Sequence, residues 1–127
     1  MRYLTAEHLA QLAELAIGAP PAVRDQGLLS SAAERPQTSM FGREMYPDLV
    51  DKAAALMHSI ARFHPLADGN KRLAWIAAAV LCELNGAQVI ASNDEAYELT
   101  MAVAAGQYDD VPDIAKALRP LVRMSDR

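Results

Sequence analysis

The sequence has little of what would place it in a membrane, a secreted scaffold or a nucleic-acid complex. A single cysteine among 127 residues excludes an intrachain disulfide. Cys82 lies within an apolar helical pattern, so a buried thiol in a reducing, cytoplasmic setting is expected. The longest apolar run, Leu73 to Cys82, is about half of what a bilayer span requires. Met1 to Thr5 carries no signal-peptide core, so no membrane partner is expected. The net charge is −4 with both signs interspersed, which leaves no basic face for direct nucleic-acid binding. Repeats, low-complexity tracts and linkers are lacking too. Residues 1–127 are accordingly read as a single domain, able to bury roughly two thirds of its unfolded surface.

What is present is helical periodicity. Thr5 offers an N-cap to a stripe of Leu9, Leu12, Ala13, Ala16 and Ile17, which Gly18, Pro20 and Pro21 end. Asp25 caps a shorter helix carrying Leu28, Leu29, Ala32 and Ala33, closed by Pro36. Pro47 suits a first helical position, and Leu49, Ala53, Leu56, Ile60 and Phe63 then share one face. A fourth helix from Asn70 is apolar nearly all round, with Trp75 expected in the core, and Asn85-Gly86 stops it. Ser92 or Asn93 caps a fifth, running to about Ala105. Pro112 opens a sixth with Ile114, Ala117, Leu118, Leu121 and Val122 on one stripe, which Pro120 should kink or break near Leu118 or Arg119. These segments predict an all-α bundle of about six helices. Strands are expected only near Val89 and in Gln37, Thr38, Ser39, Met40, Phe41 and Gly42, an extended flap without helical period. Met40, Met45 and Met57 are expected to pack, and His8 and His58 to be ordinary surface or boundary residues.

Chemistry concentrates between the third and fourth helices, in His64-Pro65-Leu66-Ala67-Asp68-Gly69-Asn70-Lys71-Arg72. Pro65 takes His64 out of the right-handed helical region and Gly69 permits a sharp turn. The helix that follows opens with unpaired N–H groups at the positive end of its dipole, an anion site in its own right. Lys71 and Arg72 add cations where helix energetics alone would favour carboxylates. His64 is the available general base, a role that contributes roughly 10²–10⁴ in rate. Asp68 alone is too little for calcium, yet one carboxylate suits Mg²⁺ that takes its other ligands from phosphates and water. Base, carboxylate, helix N-terminus, Asn70, Lys71 and Arg72 together form a sufficient set for phosphoryl transfer, and suggest transfer from a nucleoside triphosphate to a hydroxyl. Each residue alone is commonplace in a loop, and no Gly-rich phosphate loop accompanies them.

In this stretch the sequence resembles the Fic/Doc superfamily, whose motif runs His, any, Phe, any, Asp or Glu, any, Asn, then Gly-Arg or, in the Doc (death-on-curing) branch, Lys-Arg. His64, Asp68, Asn70, Lys71 and Arg72 match the Doc form. Arg24 to Gln37, Tyr46-Pro47 and Lys52 to Leu56 also look like that branch, so the resemblance spans roughly residues 24–86. It implies a compact Fic/Doc-type helical fold, His64 as base, Asp68 holding Mg²⁺ on the phosphates of ATP, and Gly69, Asn70, Lys71 and Arg72 around those phosphates. The flap would align a target segment by strand addition. Members of the branch are toxins of toxin–antitoxin pairs, and the resemblance implies a kinase acting on a threonine of elongation factor Tu. Inhibition would come from the C-terminal segment of a Phd-like antitoxin, since no internal inhibitory helix is found. The alternatives are AMP transfer, as in Fic enzymes, and a catalytically silent peptide-binding module. Leu66 stands where the family has Phe, Gly69 is a Fic-like choice, and Trp75 stands where many Fic enzymes carry a second Arg.

Overall fold

The computed structural model describes residues 1–125. Among them run six helices, α1 (Ala6–Ile17), α2 (Gln26–Glu34), α3 (Leu49–Phe63), α4 (Asn70–Leu84), α5 (Asn93–Ala104) and α6 (Val111–Leu118). Two short antiparallel pairs accompany them. β1 (Ser39–Met40) pairs with β2 (Arg43–Glu44), and β3 (Ala87–Val89) pairs with β4 (Val122–Met124). The chain is the all-α bundle its periodicity predicts.

Five helices begin at a side chain that accepts from an N–H of their own first turn: Thr5, Asp25, Asp48, Ser92 and Asp110. Each such cap stabilises its helix by about 1 kcal/mol. The exception is α4, which starts at Gly69 with no side-chain cap.

Helix α3 is the axis of the bundle, contacted by α2, α4, α5 and α6. Twelve of its 15 residues are buried, and its Ala53-Ala54-Ala55 run lets neighbouring backbones approach closely. Leu56, Met57 and Ile60 meet Leu73, Ala77 and Leu81 of α4 in one continuous apolar cluster. Each buried large side chain contributes roughly 1.5–3 kcal/mol. Cys82 belongs to that cluster, and burial, helped by Glu83, pushes its thiol up to about 11. No helix among the described residues is long and apolar enough to cross a membrane.

Several expectations are corrected. Pro47 lies outside α3, because Asp48 takes the cap position. Phe63 is 49% exposed, as its turn is the last of α3 and its ring packs only edge-on against His58. Met40 and Met45 are exposed while Met57 is buried. Trp75 is half-buried, because α5 covers α4 incompletely there. Gln37 ends a 3₁₀ turn, Arg35–Gln37, so the flap hairpin starts after it. Leu121 and Val122 do not extend α6: Pro120 cannot donate to the preceding turn, and a second 3₁₀ turn, Arg119–Leu121, leads into β4. That strand had no counterpart in the sequence reading.

Candidate active site

The loop between α3 and α4 is held by its backbone so that its polar side chains face outward. Pro65 and Leu66 are buried; His64, Ala67, Asp68, Lys71 and Arg72 are exposed. Leu66, 1% exposed, sits where the family motif has a larger ring and anchors the loop in the core. The segment from Ala22 to Asp25 straps it down. Arg24 and Asp25 donate their N–H groups to Pro65 O at 2.8 and 3.0 Å, and Ala67 N–H donates to Ala22 O at 2.8 Å.

His64 is the C-cap of α3, with φ 53° and ψ 66°. Left-handed backbone is unusual for a residue other than Gly or Asn and marks a position held by its surroundings. The holder is Arg24. Its Nε donates to His64 O at 2.7 Å and its Nη2 to Phe63 O at 2.8 Å, satisfying carbonyls that the helix end leaves without partners. In the sequence Arg24 is marked only as the first residue of the stretch 24–37 that looks like the Doc branch. Nothing in the spacing of residues 24 and 64 announces the contact, which comes from the chain returning to pair Val23 with Leu66.

Asn70 is spent inside the loop. Its Oδ1 accepts from Leu66 N–H and its Nδ2 donates to Leu66 O, both at 2.9 Å. These bonds fold residues 66–70 into a closed turn and leave Asn70 its second side-chain N–H and its main-chain N–H at the start of α4 to offer an anion. Gly69 supplies the turn with φ 88°, and a Cβ there would lie 2.5 Å from Ile17 Cδ1 of α1. Any other residue there would be strained in its backbone and would have to displace Ile17.

The result is a cavity of about 380 Å³ lined by His64, Ala67, Asp68, Gly69, Asn70, Lys71 and Arg72. Every residue singled out in this loop lines it. The start of α4, uncapped by any side chain, brings free N–H groups and the positive dipole end together with two cations. Asp68 is the one carboxylate on its wall. No group of three or more His, Cys, Asp or Glu side chains gathers among the described residues. A metal carried in by phosphates, with Asp68 as its protein ligand, is the kind this donor set suits.

Lys71 and Arg72 also border a second, more apolar groove of about 460 Å³ between α4 and α5, with Trp75, Ile76, Tyr97 and Thr100 on its walls. On the other side, the flap turns at Phe41 and Gly42, with φ 53° and 78°, and Phe41 is 98% exposed. Thr38 at its base and Phe63, the neighbour of His64, line a common cavity. His58, expected at the surface or the boundary, is nearly fully buried: Arg35 Nη1 lies 2.7 Å from its Nδ1 and Asp109 Oδ1 is 3.2 Å from its Nε2. The Asp109 carboxyl is held below its usual range by His58 first and then Arg62.

A family model described as "Fic/DOC family" matches residues 3–82, which include the whole loop, its strap and the flap. Over 92 residues the chain is 48% identical to the protein named "Toxin Doc" from Mycolicibacterium smegmatis (strain ATCC 700084 / mc(2)155), covering 72% of this chain and 71% of that one. An exposed histidine at a helix end, a single carboxylate and an uncapped, cationic helix start thus occur in a chain that belongs to the Fic/DOC family.

Proposed function

We propose that this protein is the toxin of a toxin–antitoxin pair and acts as a protein kinase, using ATP and Mg²⁺ to phosphorylate a threonine of elongation factor Tu. The observation that carries the reading is the uncapped start of α4, facing a cavity shared with His64, Asp68, Lys71 and Arg72. Such a constellation supplies positioning and charge stabilisation, which is most of what phosphoryl transfer requires.

In this reading an imidazole nitrogen of His64 takes the proton of the target hydroxyl as its oxygen bonds to the γ-phosphorus. The bond from that phosphorus to the β,γ-bridging oxygen breaks, and ADP leaves. The N–H groups at the start of α4, with Lys71 and Arg72, hold the phosphate oxygens throughout. Mg²⁺ held by Asp68 would neutralise phosphate charge. Lys71 occupies the position that is Gly in AMP-transferring relatives of the fold, and an added cation beside the phosphates favours the kinase.

The toxin named in the comparison supports an antitoxin partner. Its C-terminal segment has a receptive surface in the groove between α4 and α5, where apolar residues would cover Trp75 and Tyr97 and an acidic end would neutralise Lys71 and Arg72.

Intact-mass analysis of elongation factor Tu after incubation with the protein, ATP and Mg²⁺ tests the reaction. A gain of one phosphate is expected. A gain of one nucleoside monophosphate would assign AMP transfer, which Gly69 favours, and growth arrest undiminished by His64→Asn would assign a silent binding module.

A further inference from the structure

The flap has almost no apolar anchorage of its own. All four residues of β1 and β2 are exposed, as are Phe41 at the tip and Met40 and Met45 beside it. Its place relative to the bundle must be set by something other than side-chain packing at the hairpin.

Lys52 is the unusual residue nearby. It lies in the first turn of the most buried helix and is 1% exposed, although lysines at such edges ordinarily extend their ammonium to water. Taking an ammonium out of water costs several kcal/mol unless it is fully hydrogen-bonded. Its Nζ donates to Glu44 Oε1 at 2.6 Å and to Pro36 O at 3.1 Å, and it lies 5.6 Å from the centre of the Tyr3 ring. Pro36 belongs to the leg of chain that enters the flap, and Glu44 to β2, the leg that leaves it. A second fastener sits one to two turns further along α3. Arg35, on the entering leg, donates to Tyr46 Oη at 3.1 Å on the leaving leg and to Ser59 Oγ at 3.0 Å on α3, and touches His58. Two fasteners on one helix, each joining both legs, fix the hairpin in height and tilt.

We infer that Lys52 is a positioning residue: by joining Glu44 and Pro36 across the base of the flap, it sets the hairpin at the height where a target strand paired to it presents its hydroxyl to His64. Burial by itself would lower the Lys52 ammonium's pKa, yet the hydrogen bond it donates to Glu44 and the neighbouring Tyr3 outweigh it and the pKa is raised, so the fastener stays charged. The inference rests on the proposed transfer reaction for its consequence and on flap geometry for its cause, and the two are measured separately.

The test compares the wild-type chain with Lys52→Met, which keeps the volume and removes the charge, and with Glu44→Leu, altered at the half-exposed end of the pair. Hydrogen exchange should speed by about tenfold at the Met45 amide, which closes the hairpin onto Thr38 O, while α4 amides keep their protection. In phosphorylation of elongation factor Tu, the KM for the factor should rise by about tenfold with the KM for ATP and kcat unchanged. Unaltered flap exchange in both variants would overturn the inference, as would a loss of protection spread evenly over α3, α4 and the flap. Loosened flap exchange with kcat lowered instead of KM would also overturn it. If wild-type protein modifies nothing, the transfer reading fails while the exchange arm still decides whether Lys52 holds the flap.

Discussion

The loop at residues 64–72 and the flap at residues 38–45 both lie in short connections between helices, and they are built by opposite means. In the loop the backbone from Phe63 to Ala67 is tied down: Arg24 holds two carbonyls, Asn70 closes the turn on Leu66, and the strap pairs with Pro65 and Ala67. The flap is fixed only at its base, and the edges of its strands are left unpaired. The proposed function would account for the difference. A base and a phosphate cradle lose orders of magnitude in rate when displaced by about 1 Å, whereas an element that receives foreign backbone must leave its N–H and C=O groups free.

If the loop alone carries the chemistry, the largest effect belongs to His64→Asn. Asn tolerates left-handed backbone, so the fold should keep its melting temperature, while transfer to the target falls by about 10²–10⁴-fold. A radiolabelled-phosphate assay beside a thermal melt separates the two; a drop in both would mean that the imidazole is structural. Next in size are the loop's internal supports. Leu66→Ala should cost about 2–5 kcal/mol through the cavity it leaves. Asn70→Ala should cost about 1–3 kcal/mol by leaving the Leu66 amide and carbonyl without partners. Denaturant titration measures both. An Asn70→Ala protein of wild-type stability would show the turn to be held by its strap alone.

Gly69→Ala sharpens the same point at a smaller scale. The backbone there is left-handed, at φ 88°, and the added methyl meets Ile17. Backbone strain contributes roughly 1–2 kcal/mol, and shortening Ile17 to Ala in the same chain should relieve only the steric part. Complete recovery in the double variant would mean that the left-handed strain is negligible.

These contrasts also show why the sequence was legible in some places and opaque in others. Helices report themselves through caps and periodicity, so Thr5, Asp25, Ser92 and the Gly69–Asn70 start were readable from local spacing. The polar loop stood out because Pro65 and Gly69 interrupt two apolar helices. Arg24 and Lys52 did not, since their partners lie 40 and 8 residues away across a chain crossing that no period encodes. β4 was hidden for a similar reason: Leu121 and Val122 fit the α6 stripe, and only pairing with β3 shows that the chain has turned. His58 is more buried and Trp75 less buried than their patterns suggest, because a helical wheel gives a direction, not how well the neighbouring helix covers it.

The smallest effect on stability comes from the flap tip. Phe41 takes the first left-handed position of a two-residue turn in which Asn is the favoured residue, and its ring is almost wholly in solvent. Holding a non-glycine residue there costs roughly 1 kcal/mol, with no buried surface in return. Phe41→Asn should therefore raise stability by up to about 1 kcal/mol, seen as a small upward shift in melting temperature. The same change should weaken capture of the protein target, because it removes the one large apolar side chain that the flap presents beyond its paired strands. A variant that is both steadier and as active as wild type would leave the aromatic tip without a purpose, and the contrast between a rigid loop and a receptive flap would then rest on the strand edges alone.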